Sequence, residues 1–284
     1  MASHREDGGI VGRSAPMQRV RERVEALARL SVPVLVRGEE GSGRSHVVAA
    51  LRNLRGEVDT ELWSLRAGDR RLLAPLDPRR CVVLDDVTQF SPVEQVRWRD
   101  GVQSTRAPSG SLYATSSEDL TDAARRGVFD PALAEALSRF AIALPPLRER
   151  REDLPELVDA LALRACARLG REPVAFGRAA LRLLQAQSWP GNVRELSGAV
   201  ERLVAFATGT RIERSQVEAL FEESTRSVGA TRRARKQRQR EELLRLIDET
   251  GGNLAEVARR LEMSRGGVIY RAQKFGLMRR SLRG

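Results

Sequence analysis

Gly38-Glu39-Glu40-Gly41-Ser42-Gly43-Arg44-Ser45 is the stretch of this chain best suited to chemistry. Glycines let backbone N–H groups wrap a phosphate at a helix N-terminus, provided a strand leads in and a helix leads out. Both are predicted: an apolar run over Val32–Arg37 precedes the loop, and helical periodicity over Ser45–Leu54 follows it. The candidate nucleotide-binding residues are Gly38, Gly41, Ser42, Gly43, Arg44 and Ser45. Such a loop asks for lysine where Arg44 stands. Lysine is a compact charge that reaches between phosphates, whereas a guanidinium is broad and planar. Two lysines, Lys236 and Lys274, stand against 47 arginines, so a general arginine bias also accounts for the exchange.

Cys81-Val82-Val83-Leu84-Asp85-Asp86 is the second candidate, a buried strand ending in paired carboxylates. Beside a bound ATP or ADP, Asp85 could hold Mg²⁺ and the next acid could position an attacking water. Asp86 is one methylene shorter than the glutamate usual in that role. Alone, an Asp-Asp pair after a strand more often ends a solvent-facing edge; the upstream loop makes it informative.

These residues need a scaffold. Apolar runs at Val32–Arg37, Cys81–Leu84, Ser111–Thr115 and Phe140–Leu144 alternate with helical patterns such as Ser45–Leu54 and Pro131–Ser138. That alternation predicts an α/β fold, a parallel sheet covered by helices. From Arg151 to Glu223 strands vanish and helical periodicity takes over, broken at Gly170, Gly177 and Trp189–Gly191. The two cysteines, Cys81 and Cys166, have neither metal-site nor disulfide spacing and are expected to be buried free thiols. No apolar run reaches the length of a membrane span and residues 1–12 carry no signal-peptide core, so a cytoplasmic, nucleoid-associated protein is expected.

Charge divides the chain unevenly. Residues 224–284 hold sixteen basic and six acidic residues, nearly all of the overall net charge of +11. A neutral body with a basic tail fits a nucleic-acid binder, because phosphate neutralisation drives such binding; the alternative is a solvated basic tail. Residues 224–240 read as a basic linker containing Arg232, Arg233 and Arg235. Three helices follow in an all-α module. Glu241–Glu249 carries Leu243, Leu244 and Ile247 on one face; Gly251-Gly252 stops it; Asn253 caps Leu254–Leu261; Ser264 caps a third helix running to about Phe275. Two short helices across a tight turn are the helix-turn-helix arrangement, with Ala255, Val257, Ala258, Leu261, Val268 and Ala272 as its expected core. Arg265, first on the third helix, is the candidate base-edge contact. Tyr270, Arg271 and Lys274 are candidate phosphate contacts, as are the three linker arginines.

From Val11 onward the chain resembles the AAA+ sigma-54-dependent transcription activators (bacterial enhancer-binding proteins). Val11-Gly12-Arg13-Ser14-Ala15-Pro16-Met17 carries the resemblance first, and Leu144-Pro145-Pro146-Leu147-Arg148-Glu149-Arg150-Arg151-Glu152-Asp153-Leu154-Pro155 is the most specific match. Trp189-Pro190-Gly191-Asn192-Val193-Arg194-Glu195-Leu196 adds to it, and the C-terminal module is similar to that of the factor for inversion stimulation (Fis). The resemblance implies a tail at 1–10, an AAA+ P-loop core at 11–147, a helical lid at 148–223 and a Fis-type helix-turn-helix domain at 241–284. It implies that Arg194 senses nucleotide from the lid, and that the protein self-associates, as a dimer through the C-terminal module or a higher oligomer through the AAA+ body. With about nine residues ahead of the body, no fused sensor domain is expected.

The departures carry equal weight. The family's Gly-Ala-Phe-Thr-Gly-Ala loop, which grips sigma-54, occurs nowhere in this sequence, and Phe90–Ser111 is shortened where the family has a second hairpin. The family's trans-acting arginine fingers align with Asp130 and Ala136, with Arg139 one turn on as a possible replacement. Such a finger contributes on the order of 10³–10⁵ in phosphoryl-transfer rate. The reading is a double-stranded-DNA-binding transcription regulator with a degenerate AAA+ body used for assembly or nucleotide sensing, with ATP hydrolysis weak or absent and no sigma-54 contact. Two alternatives stay open: an ATP-dependent activator of another partner, and a nucleoid-structuring protein of low sequence preference.

Overall fold

The computed structural model describes residues 9–73, 80–103, 112–275 and 277, without the side chains of 73, 103 and 223–238. The chain divides into two compact units, Met1–Val217 and Glu218–Gly284.

The first unit is built on a five-stranded sheet of β1 (Val34–Arg37), β2 (Leu62–Leu65), β3 (Cys81–Leu84), β4 (Leu112–Ser116) and β5 (Ala141–Ala143). Its order is β2-β3-β4-β1-β5 with every pairing parallel. A parallel sheet is covered on both faces, so its central strands read as unbroken apolar runs; β1, β3 and β4 are buried along nearly their whole length. Helices α1 (Ala15–Ala28) and α2 (Arg44–Leu54) cover one face around Val34, Val36, Val83 and Tyr113. The other face packs Leu35, Val82, Leu84 and Ala114 against α3 (Pro92–Gln103), α4 (Leu120–Arg125) and α5 (Pro131–Ser138).

The predicted strands recur, β3 with the expected bounds and the others with shifted ends: β1 starts at Val34, β4 runs one residue further to Ser116, and β5 is three residues long. The edge strand β2 has no counterpart among them. It is short and half exposed, with Leu62 open to solvent.

The lid comprises α6 (Leu154–Leu169), α7 (Arg178–Gln185) and α8 (Asn192–Ala205). Gly170, at φ +62°, ends α6, and Gly177 opens α7. The expectation of no strands is corrected: β6 (Ala175–Phe176) and β7 (Arg211–Ile212) form a small parallel pair. Two-residue strands leave no periodicity to read.

The expected linker at 224–240 is also corrected. Helix α9 runs unbroken over Arg214–Glu249, so Glu241–Glu249 is its last part and not a separate helix. Arg, Lys, Gln, Glu and Ala dominate 230–242 and are good helix formers, which overrides the scarcity of apolar residues. The arginines at 232, 233 and 235 lie on this helical backbone, among the undescribed side chains. Gly251 (φ +60°) and Gly252 (φ +88°) end the helix.

Asn253 Oδ1 accepts from the N–H groups of Ala255 and Glu256 to cap α10 (Leu254–Arg260), and Ser264 Oγ accepts from Gly267 N–H to cap α11 (Arg265–Lys274). Leu243, Ile247, Leu254, Val257, Ala258, Val268 and Ala272 are buried together in the second unit. Ala255, expected in that core, is exposed, Leu261 packs at its margin, and Leu254 takes the inward position.

Candidate functional site

Phosphate loop 38–45 turns between β1 and α2 with Gly41 at φ +74° and Gly43 at φ +109°. Helix α2 opens on Gly43 with no side-chain cap, so its first N–H groups face the loop, and Ser45 is exposed in that first turn. An open cavity of about 710 Å³ lies against this loop, walled also by Arg66, Asp85, Asp86, Arg164 and Arg194. The structure therefore gathers the predicted Gly41, Gly43, Arg44, Ser45, Asp85, Asp86 and Arg194 around one space. Gly38 and the buried Ser42 sit behind it.

Arg44 does not extend into the cavity as a lone charge. Its Nη1 donates to Gly38 O at 3.2 Å and its Nη2 stands 3.5 Å from Asp86 Oδ2. Asp86, in the left-handed region at φ +52°, is engaged through both carboxylate oxygens. Its Oδ1 accepts from Thr88 Oγ1 (2.7 Å), Ser117 Oγ (3.1 Å) and Ser117 N–H (3.2 Å). Asp85 Oδ1 accepts from Thr115 Oγ1 at 3.0 Å, and its Oδ2 accepts from Arg66 Nε at 2.9 Å. A magnesium ion beside a phosphate needs carboxylate oxygens free to turn to it in a near-octahedral shell. With a guanidinium on each acid, the donor set as it stands does not fit the Mg²⁺ that the sequence expects at Asp85. Asp130, at one finger position, caps α5 through Leu133 N–H (2.8 Å) and pairs with Arg99 (3.3 Å).

Three residues of the two most specific motifs have roles that sequence reasoning missed. Asp153, 2 % exposed, accepts from Arg13 N–H (2.7 Å), Ser14 N–H (2.7 Å) and Ser14 Oγ (2.6 Å), fastening the N-terminus of α1 to the start of the lid. Gly12 sits at φ +123° against this carboxylate, where a Cβ would come within 2.7 Å of it. Asn192, fully buried at φ +53°, accepts from Leu147 N–H (2.8 Å) and donates to Glu40 O (3.0 Å) and Glu39 Oε2 (3.2 Å). Around it Arg148 grips Glu39 through both guanidinium Nη groups (2.6 and 2.7 Å), Arg194 pairs with Glu40, and Arg194 N–H donates to Gly41 O (3.2 Å). Arg148 first and Asn192 second hold the Glu39 carboxyl below the usual carboxylate range. The lid is thus clasped to the phosphate loop itself. Residues that meet across more than a hundred positions leave no local signal; their presence in long motifs was the one available clue.

Residues 11–147 match the sigma-54 interaction domain and residues 148–234 the AAA+ ATPase lid domain, the latter running past the expected boundary at 223. The chain belongs to the AAA+ sigma-54 activator family. The transcriptional regulatory protein ZraR of Salmonella typhi is 29% identical over 94% of this chain and 68% of its own length. The formate hydrogenlyase transcriptional activator of Salmonella typhimurium is 29% identical over 96% and 45%. The C4-dicarboxylate transport regulatory protein DctD of Pseudomonas aeruginosa is 33% identical over 72% and 51%. The chain thus spans between about half and two thirds of these relatives. Among solved structures, Brucella abortus NtrX in complex with ADP superposes with a TM-score of 0.64 at 23% identity, over 94% of this chain and 69% of that one. The Thermotoga maritima RuvB branch migration motor gives 0.55 at 15%, over 90% and 83%. Both likenesses are of fold. No helix among the described residues of this AAA+ chain is long and apolar enough to cross a membrane.

Proposed function

We propose that this protein is a transcription regulator that binds double-stranded DNA through its C-terminal helices. Its AAA+ body, on this reading, binds nucleotide for assembly or sensing and does not remodel sigma-54 polymerase. The observation that carries the DNA reading is the capped helix α11. It presents exposed Arg265 at its N-terminus and exposed Tyr270 and Lys274 further along, while Val268 and Ala272 face the core. A recognition helix of a helix-turn-helix offers its N-terminal residues to base edges. Gly266 and Gly267 add no side chains there, so shape contributes to any preference, and a low-specificity, nucleoid-structuring role is the second reading.

Electrophoretic or fluorescence titration of the full chain tests both. Arg265→Ala is expected to cost about 1–3 kcal/mol on a preferred site and to relax discrimination. Changing Arg232, Arg233 and Arg235 to Ala should instead weaken all duplexes alike, flattening the log–log salt slope by about 0.9 for each phosphate no longer neutralised. Equal weakening on every sequence for Arg265→Ala would make it a phosphate-binding residue and favour the second reading.

Support for a body that does not turn over is the state of three groups at once. Arg44 is drawn back onto Gly38 and Asp86, Asp86 is engaged at both oxygens, and Asp130 serves as a helix cap. ADP or ATP should raise the melting temperature by mass action. Phosphate release should stay at the background rate, and a steady rate abolished by Asp85→Ala would reverse this conclusion. The missing Gly-Ala-Phe-Thr-Gly-Ala sequence supports the absence of a sigma-54 grip.

A further inference from the structure

We infer that the cavity takes a nucleoside di- or triphosphate without a divalent cation, guanidinium groups supplying the counter-charge that magnesium would otherwise bring. The inference rests on the nucleotide-binding reading above and concerns how the phosphate charge is met.

Four arginines and three carboxylates line the cavity: Arg44, Arg66, Arg164 and Arg194 against Glu40, Asp85 and Asp86. Each carboxylate is already paired with one of those arginines. Asp85 has Arg66 at 2.9 Å, Asp86 has Arg44 at 3.5 Å, and Glu40 has Arg194. Arg164 stands 3.3–3.4 Å from His46 Nε2. Arginine has no acceptor, so that imidazole nitrogen accepts and His46 is neutral. The wall is therefore cationic by one charge before any ligand enters.

A divalent cation approaching Asp85 would have to displace a guanidinium and then sit among the others, where like charges repel. A polyphosphate meets the opposite field. Arg66 binds Asp85 through Nε, which leaves the Nη groups of the same planar fork for a phosphate oxygen, and its side chain is 79% exposed and free to adjust. One guanidinium can then bridge carboxylate and phosphate, the place a metal would occupy. The uncapped first turn of α2 adds backbone N–H donors that need no metal.

Calorimetric titration of the full chain with ADP, once with magnesium chloride and once with EDTA, tests this. The dissociation constants are expected to agree within about threefold. In Arg66→Ala, which alters an exposed side chain and should melt as the parent does, Asp85 is released. Binding in EDTA should then weaken by about tenfold and be restored by magnesium. A parent protein that binds about tenfold or more weakly in EDTA overturns the inference while leaving the nucleotide reading intact. An Arg66→Ala variant as indifferent to magnesium as the parent overturns the role of Arg66 and the inference with it. No binding in either buffer overturns the nucleotide reading itself.

Discussion

His46 and Arg164 join α2 to α6 across the cavity, and the bond exists in one protonation state alone. Burial, with the Arg164 charge second, holds the imidazole below its ordinary value of about 6.5. As pH falls through that value the unfolded chain takes up the proton first. Stability from this group is therefore complete above about pH 6.5 and declines as pH falls toward the lower folded value. The melting temperature is expected to drop as pH falls below about 6.5, and to drop less in His46→Gln, whose amide oxygen can still accept from Arg164. An identical slope in both proteins would assign the acid sensitivity elsewhere. Cys81 is the contrasting case: burial pushes its thiol up to about 11 and no ligand-facing role follows.

At the scale of elements, the decisive contact is between the phosphate loop and the first turn of α8. A Cβ on Gly41 would lie 2.2 Å from Gly191 O and 3.0 Å from the Arg194 side chain, and Gly41 already sits at a positive φ. This glycine is thus required by the lid as much as by any phosphate. Gly41→Ala should destabilise the protein by about 1–3 kcal/mol and release the clasp, seen as faster proteolysis around 186–194. Unchanged cleavage would show that the loop can yield without moving the lid. A long-range clasp of this kind is invisible to local pattern, whereas other elements are not. β1, β3 and β4 were legible because strands buried on both faces are continuously apolar, and the caps Asn253 and Ser264 because capping is a short-range rule. β2 escaped because an edge strand needs only one buried face, and α9 because a polar run of strong helix formers has the composition of a linker. In the site, residue types announced the loop and the carboxylates. Arg66, which pairs with Asp85, and Arg164, which meets His46, were not announced, since neither belongs to a motif.

For the molecule as a whole, core and lid of the first unit are not independent parts. Arg150, 3 % exposed, donates to Ser42 O at 2.8 Å beneath the phosphate loop, and Asp153 holds Arg13 and Ser14. A fragment ending at Leu147 keeps every strand of the five-stranded sheet but lacks both anchors. It is expected to unfold with a broad, weakly cooperative denaturant transition, whereas Met1–Val217 should unfold sharply; a sharp transition in the shorter fragment would show the anchors to be dispensable. The Asp153 contact also has a consequence in time. Ser14 and Asp153 lie 139 positions apart, and at about 5–20 residues per second roughly ten seconds of translation separate them. Throughout that interval the first turn of α1 has emerged without the carboxylate that completes it. The nascent chain therefore carries the start of α1 unanchored until the first turn of the lid leaves the exit tunnel.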